Sequence, residues 1–367
     1  MKITGLTLWY VPLTSHETYY MSDGKTCDTL TSVVLRVDTD SAHVGWGEVC
    51  PIPHYLPAYA EGTAPAVEYL SEVLIGADPV GPVALMERLD GFLQGHDYAK
   101  SLIDTALWDL TGKAADLPLY ALLGGRAVKD MPLYHSITCV APEEMAHMAK
   151  EAQAKGMMQF QVKLGADNDW QADAARLEAV RAAVGDGPLV YGDWNCGFDA
   201  LNATRVGRAV SHLDVMLEQP CATTEECAHV RLATGLPMKL DETAHDIESL
   251  LEGHRRGCMD AAALKLSKFG GLSKMRAARD LCLTLGTKMC IEDTWGSDIT
   301  TAAGLHLAAS TPARGLMNTC DLSHYVAPRL APKAPTRAQG RIAPPEGPGL
   351  GIEVDTAVLG NPVLEIG

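Results

Sequence analysis

From residue 133 to residue 322 the chain repeats one pattern about every 25 residues: a short run rich in Val, Ile, Leu and Met, then a polar or amphipathic stretch. The runs are LYHSITC (133–139), QFQVKLG (159–165), LVYGDWN (189–195), DVMLEQP (214–220), PMKLDE (237–242), AAALKLSK (261–268), KMCIEDT (288–294) and GLMNTCDL (315–322). Apolar runs of this length suit strands buried on both faces, the condition of parallel strands covered by helices. Between them, PEEMAHMAKEAQAKG opens on Pro and acids and stops at Gly, and LSKMRAARDLCLTLG also ends in Gly. Both are helix boundary signals. Eight strands alternating with helices predict an α/β fold, a (β/α)8 barrel of the TIM type, with an open doubly wound sheet as the alternative.

The first 125 residues follow another rule. ITGLTLWYVPL and LTSVVLRVDTDSAHVGWGEVC read as antiparallel strands with polar turns, and helical periodicity follows near 62–75, 82–95 and 99–114. The tail GRIAPPEGPGLGIEVDTAVLG is too rich in Gly and Pro for a barrel helix, so it is expected to return to the first module. The predicted organisation is an α+β capping domain over 1–125, a barrel domain over 126–330 and a C-terminal segment over 331–367 that completes the cap.

The chain carries a formal charge of −16 and no basic stripe, which argues against nucleic acid as a partner. No run of about 18 uncharged apolar residues is present, and the start MKITGLTLWYVPL lacks the pattern of a signal peptide, so no membrane association and a cytoplasmic location are expected. Ten cysteines are scattered without a CxxC pair, a spacing that favours buried reduced thiols over disulfides or a zinc site. The acidity means that an anionic substrate has to be attracted locally, by a bound cation or an inward-facing lysine.

Reactive groups in such barrels sit at the carboxyl ends of the strands. Read in order, those ends are Lys163, Asp193, Glu218, Asp241 and Lys265. Any one of the acids taken alone could be a solvated loop residue or a helix cap. Three in succession at the strand period form a hard oxygen site that suits Mg2+, and a cation there offsets the cost of burying adjacent carboxylates. Lys163 and Lys265, on the second and sixth strands, would face each other across the barrel axis. A nearby divalent cation is expected to depress their pKa toward the range of a general base. Lys239 reads as an interior charge partner, and Lys268, of the opposite parity to Lys265, as a weaker candidate.

The ordered set QVKLG, GDWN, EQP, LDET and LKLSKFGG, preceded by IDTALWDLTGK and LPLYALLGG, resembles the enolase superfamily in its mandelate racemase/muconate lactonizing enzyme branch, over essentially the whole chain. The resemblance implies Mg2+ held by Asp193, Glu218 and Asp241, and Lys163 and Lys265 as the acid/base pair that acts on the carbon alpha to a substrate carboxylate. It implies an enediolate stabilised by the metal. Gln161 departs from the pattern, since many members carry lysine there. Within the branch, GWGEVCPIPHYLPAY, IEDTWGSDI and NTCDLSHY resemble the cis-3-hydroxy-L-proline dehydratases and, more distantly, the epimerases of hydroxyproline betaine.

These resemblances imply a small amino-acid substrate and a hydro-lyase reaction giving 1-pyrroline-2-carboxylate, with 2-epimerisation of a betaine or another proline derivative as the alternative. A barrel that only binds or assembles is the third reading. A homo-oligomer is the expected assembly. Tyr20, His54 and Tyr55 in two capping loops, and Asp293, Trp295 and Asp321 after the seventh and eighth strands, are the candidate substrate contacts. One of the two acids is expected to face the ring nitrogen. Asn195 is expected either to orient a ligand or to cap a helix.

Overall fold

The computed structural model describes all residues from Met1 to Gly367. The chain opens with three antiparallel strands, β1 (Ile3–Tyr20), β2 (Thr26–Thr39) and β3 (Gly45–Val49), followed by helices α1 (Thr63–Leu74), α2 (Val83–Phe92) and α3 (Asp97–Ala115). Strand β3 lies directly on α3. A Cβ at Gly47 would stand 2.0 Å from the Leu102 carbonyl oxygen and one at Gly45 2.4 Å from that of Ala106, so only glycine permits this approach. Leu102, Ile103, Ala106, Leu107 and Leu110 of α3 fill a separate apolar core beneath the sheet.

The second unit alternates β4 (His135–Ile137), α4 (Pro142–Ala154), β5 (Gln159–Lys163), α5 (Trp170–Val184), β6 (Leu189–Asp193), α6 (Ala200–Ala209), β7 (Met216–Glu218) and α7 (Thr224–Thr234). It continues with β8 (Met238–Leu240), α8 (Ile247–Arg255), β9 (Ala261–Lys265), α9 (Leu272–Leu285), β10 (Lys288–Glu292), α10 (Asp298–Ala309) and β11 (Leu316–Thr319). All eight strands are parallel and neighbours in chain order, and a parallel bridge from Leu133 to Thr319 joins the last strand to the first. Local chemistry sets the helix ends: the Asp169, Asp199, Thr223 and Asp246 side chains accept backbone N–H groups at the starts of α5 to α8, and α7 and α9 stop at left-handed Gly235 and Gly286.

The barrel expected from the sequence is present with one difference. After β11 the chain makes only the short turn Leu322–His324 in place of an eighth long helix. The segment beyond it carries Pro328, Pro332, Pro335, Pro344, Pro345 and Pro348, too many helix breakers for a helix to persist. That segment returns to the first unit. Strands β12 (Val326–Ala327) and β13 (Leu364–Ile366) both pair antiparallel with β1, and Leu350 N–H donates to buried Asp109 of α3 at 2.8 Å.

Two buried carboxylates of the first unit dock on barrel helices. Glu48 of β3 accepts from the backbone N–H groups of Ser297 (2.8 Å) and Thr300 (2.9 Å) at the start of α10. Asp104 of α3 accepts from Ser273 N–H (2.8 Å) and its hydroxyl (2.6 Å) at the start of α9. Both contacts place an acid against the positive end of a helix dipole.

Burial pushes Asp104 up to about 7 even so. A carboxyl whose folded pKa lies above its unfolded value near 4 stabilises the fold fully below that value, and the contribution is lost as pH rises through about 7. Asp104→Asn is therefore expected to flatten the fall in unfolding free energy between about pH 4 and pH 7 relative to the parent chain, measured by urea titration at each pH. Parallel slopes for the two proteins would refute the assignment.

All ten cysteines are free and none forms a disulfide; nine are buried. No helix is long and apolar enough to cross a membrane.

Candidate active site

Strand register brings the expected groups to one rim. Lys163 lies opposite Asp193, Asp193 opposite Glu218, Glu218 opposite Lys239 and Lys265 opposite Glu292. The three acids are fully buried, at 0%, 0% and 1% exposure for Asp193, Glu218 and Asp241. They do not line the cavity. Lys163, Lys265, Gln161 and Asn195 stand between them and it.

Each acid is turned toward nitrogen donors. Asp193 accepts from Lys163 Nζ (2.5 Å), Gln161 Nε2 (3.0 Å) and the Asn195 backbone N–H (3.0 Å). Gln161 Nε2 also donates to Glu218 at 3.0 Å, which gathers oxygens from two acids on one nitrogen. The Lys239 ammonium lies 2.8 Å from Glu218 Oε1, an ion pair in which that oxygen accepts no hydrogen bond. Asp241 accepts from Lys265 (2.8 Å), Lys268 (2.9 Å) and the Tyr55 hydroxyl (2.5 Å). No three His, Cys, Asp or Glu side chains close around a single metal position in this arrangement. The donor set nevertheless fits a hard divalent cation: three buried carboxylates on adjacent strands, one oxygen without a hydrogen bond, and ammonium groups already occupying the places of positive charge.

The buried carboxylates act on the two lysines directly. Burial drives the Lys163 ammonium toward neutrality, but Asp193 and Glu218 outweigh it and leave the group above the ordinary lysine range. Burial acts on Lys265 in the same sense, and Asp241 with Glu292 and Glu242 overcomes it by more. The carboxylates on their own hold both lysines as ammonium, and a cation on the same carboxylates would act in the opposite sense. Burial and Asp193 raise Glu218 to about 7, whereas Lys265, Lys268 and Lys239 overcome burial at Asp241 and hold it far below the usual carboxylate range.

A cavity opens in front of the lysines, between the barrel rim and the loops of the first unit. His54, Tyr55, Asp293 and Trp295 line it, as expected of substrate contacts. The face of the Tyr55 ring covers Lys265, with Nζ 4.4 Å from the ring centroid. Asp293 accepts from Ser267 through Oδ1 and leaves buried Oδ2 without a partner, and Trp295 Nε1 is likewise unpaired.

Two expected contacts are corrected. Tyr20 does not line the cavity and is 48% exposed; its neighbour Tyr19 points inward instead, because successive side chains of β1 alternate in direction. Asp321 also lies outside the cavity lining. Both its oxygens are bound by Arg337, with Nε donating at 2.7 Å, so it is not free to meet a ring nitrogen.

Other residues in the site went unnoticed in the sequence. Tyr134 donates to Glu292 at the cavity wall, and Glu292 ends the seventh apolar run by the same signal that marks Glu218. Asn195 does not cap a helix: its amide oxygen accepts from Lys163 at 3.1 Å and its nitrogen donates to Glu242 at 3.0 Å. Burial and Asp241 raise Glu242 to about 8.

The match to known families follows the two-unit build. Residues 5–124 match the mandelate racemase/muconate lactonizing enzyme N-terminal domain and residues 144–358 the enolase C-terminal domain-like family. The chain belongs to this family and is an enolase-superfamily enzyme. Among individual proteins, it is 43% identical over 366 residues to the cis-3-hydroxy-L-proline dehydratase of Roseibium aggregatum, with 99% of each chain covered. It is 28% identical to the N-succinyl-L-Arg/Lys racemase of Bacillus cereus, over 98% of this chain and 97% of that one. A mandelate racemase/muconate lactonizing enzyme structure from Roseovarius nubinhibens, complexed with magnesium, superposes with a TM-score of 0.95 at 32% identity and covers 100% of both chains.

Proposed function

We propose that the protein dehydrates cis-3-hydroxy-L-proline to 1-pyrroline-2-carboxylate, with Mg2+ held by Asp193, Glu218 and Asp241. The observation that carries this reading is the pair of lysines on the second and sixth strands facing one cavity, joined to the 43% identity with a dehydratase of that substrate. The metal, when bound, supplies positive charge to the substrate carboxylate and to the enediolate it becomes.

The chain's own residues divide the remaining work. In the substrate the hydroxyl shares a ring face with the carboxylate, so the alpha hydrogen and the hydroxyl lie on opposite faces. Lys163, which a cation on Asp193 and Glu218 would shift toward its neutral form, takes the alpha proton on one face. Lys265 gives a proton to the departing hydroxyl on the other, and water leaves. The Tyr55 ring over Lys265 favours its ammonium form and so its role as the acid. The enamine left behind tautomerises to the cyclic imine. Unpaired Asp293 Oδ2 accepts a hydrogen bond from the ring ammonium.

A second reading, 2-epimerisation of a proline betaine, draws on the aromatic wall of Tyr19, Trp295 and Tyr325, whose rings lie 5.7 to 6.5 Å apart and could face a quaternary ammonium. Proton NMR in deuterium oxide with Mg2+ separates the two. Dehydration predicts loss of the substrate signals with growth of the imine. Alpha exchange on a betaine, with an inert cis-3-hydroxy-L-proline, would establish the epimerase instead. Removal of divalent ions with a chelator is expected to abolish turnover and added Mg2+ to restore it.

A further inference from the structure

Directly after Glu218 stands Gln219, a residue with no place in the chemistry above. Its side chain is 0% exposed and its backbone is held at φ +33°, a left-handed conformation that non-glycine residues adopt only where the surroundings enforce it. The surroundings here are the segments that carry the three acids. Gln219 N–H donates to the Lys239 carbonyl at 3.0 Å, and the Gln219 carbonyl accepts from Cys196 N–H, three residues past Asp193, at 2.9 Å. Its side-chain oxygen accepts from Asp241 N–H at 2.9 Å and from Thr243 through N–H (3.3 Å) and hydroxyl (3.0 Å). Its side-chain nitrogen donates to the Cys221 carbonyl at 2.9 Å. The backbone of this one residue thus ties the end of β7 to the segment after β6 and to β8, and its buried side-chain amide adds the tie to Asp241 and Thr243, a set of bonds that only a group able both to accept and to donate can make.

We propose that Gln219 is a positioning residue whose side chain fixes the separation of Glu218 and Asp241 and thereby sets the affinity of the trio Asp193, Glu218 and Asp241 for a divalent cation. The proposal rests on the reading that the trio holds a metal. A hydrogen-bonded amide behind the ligands removes freedom that metal binding would otherwise have to freeze out, and the loss of such outer contacts typically weakens metal binding about 10- to 100-fold. The strained backbone at Gln219 is the sign that the surrounding bonds, rather than local preference, determine where this turn sits.

The test is a titration of the chelator-treated full-length protein with Mn2+, followed by electron paramagnetic resonance of the free ion, beside thermal unfolding without metal. Gln219→Met is expected to weaken Mn2+ binding about 10-fold or more. Thr243→Val, which removes one donor to the same amide oxygen, is expected to weaken it about threefold and to have no further effect in the Gln219→Met background. A lower melting temperature with unchanged Mn2+ affinity in both single variants would reduce Gln219 to a fold residue and overturn the proposal. If Gln219→Met does not fold, Thr243→Val alone decides in the same way. Failure of the parent protein to bind Mn2+ is a different result, and it removes the metal reading itself.

Discussion

Lys265→Ala is expected to slow water loss from cis-3-hydroxy-L-proline by about 10²- to 10⁴-fold, the usual worth of a positioned general acid, while deuterium still exchanges into the alpha position. Lys163→Ala is expected to abolish both. The two variants differ because the lysines approach from the second and sixth strands, on either side of the cavity. Removing the group that protonates the hydroxyl leaves the alpha proton within reach of Lys163, whereas removing Lys163 leaves nothing to start the reaction. Exchange and imine formation are read from one NMR time course. Dehydration at the parental rate by Lys265→Ala would sink the assignment of acid and base.

The second large effect concerns stability. Lys239 is 0% exposed, 2.8 Å from Glu218, 3.9 Å from Glu292 and 4.8 Å from the centroid of the Tyr191 ring. Lys239→Met would leave buried carboxylates uncompensated, at a cost of about 3–5 kcal/mol in urea unfolding at pH 8. Glu218 is already raised to about 7 by burial and Asp193, and Lys239 opposes that rise. Removing Lys239 raises the folded pKa further. A raised carboxyl binds its proton more tightly in the folded state, so stability is retained at low pH and lost as pH rises. The defect is therefore expected to be smaller at pH 5 than at pH 8, and Lys239→Met combined with Glu218→Gln is expected to recover most of it. A pH-independent loss would show that packing rather than charge is at stake.

The barrel was legible because its strands are short apolar runs, most of them ending on or next to a charged residue, and the period placed Lys163, Asp193, Glu218, Asp241 and Lys265 at one rim. What failed were features without a local signature. Tyr20 and Tyr19 differ by one position, and the stretch that reads as a capping loop is the end of strand β1, where adjacent side chains point to opposite sides. Asp321 appeared free because its partner Arg337 arrives from 16 residues downstream in a proline-rich tail. The charge state of the lysines has no local signature either: it depends on the balance of several buried charges, and strand spacing carries no information on that balance.

Glu48 and Asp104 fix the first unit to the starts of α10 and α9 at two separate points, and β12 and β13 sew the end of the chain into its sheet. A cover fastened this way does not swing aside as one body. Traffic into the cavity then falls to the two short stretches that supply Tyr19, Met21 and Cys27, and Ile52, His54 and Tyr55. Substrate selection and product escape are accordingly expected to be governed by how these stretches part. Substitutions there should alter the rates of entry and release while leaving the barrel and its carboxylates in place.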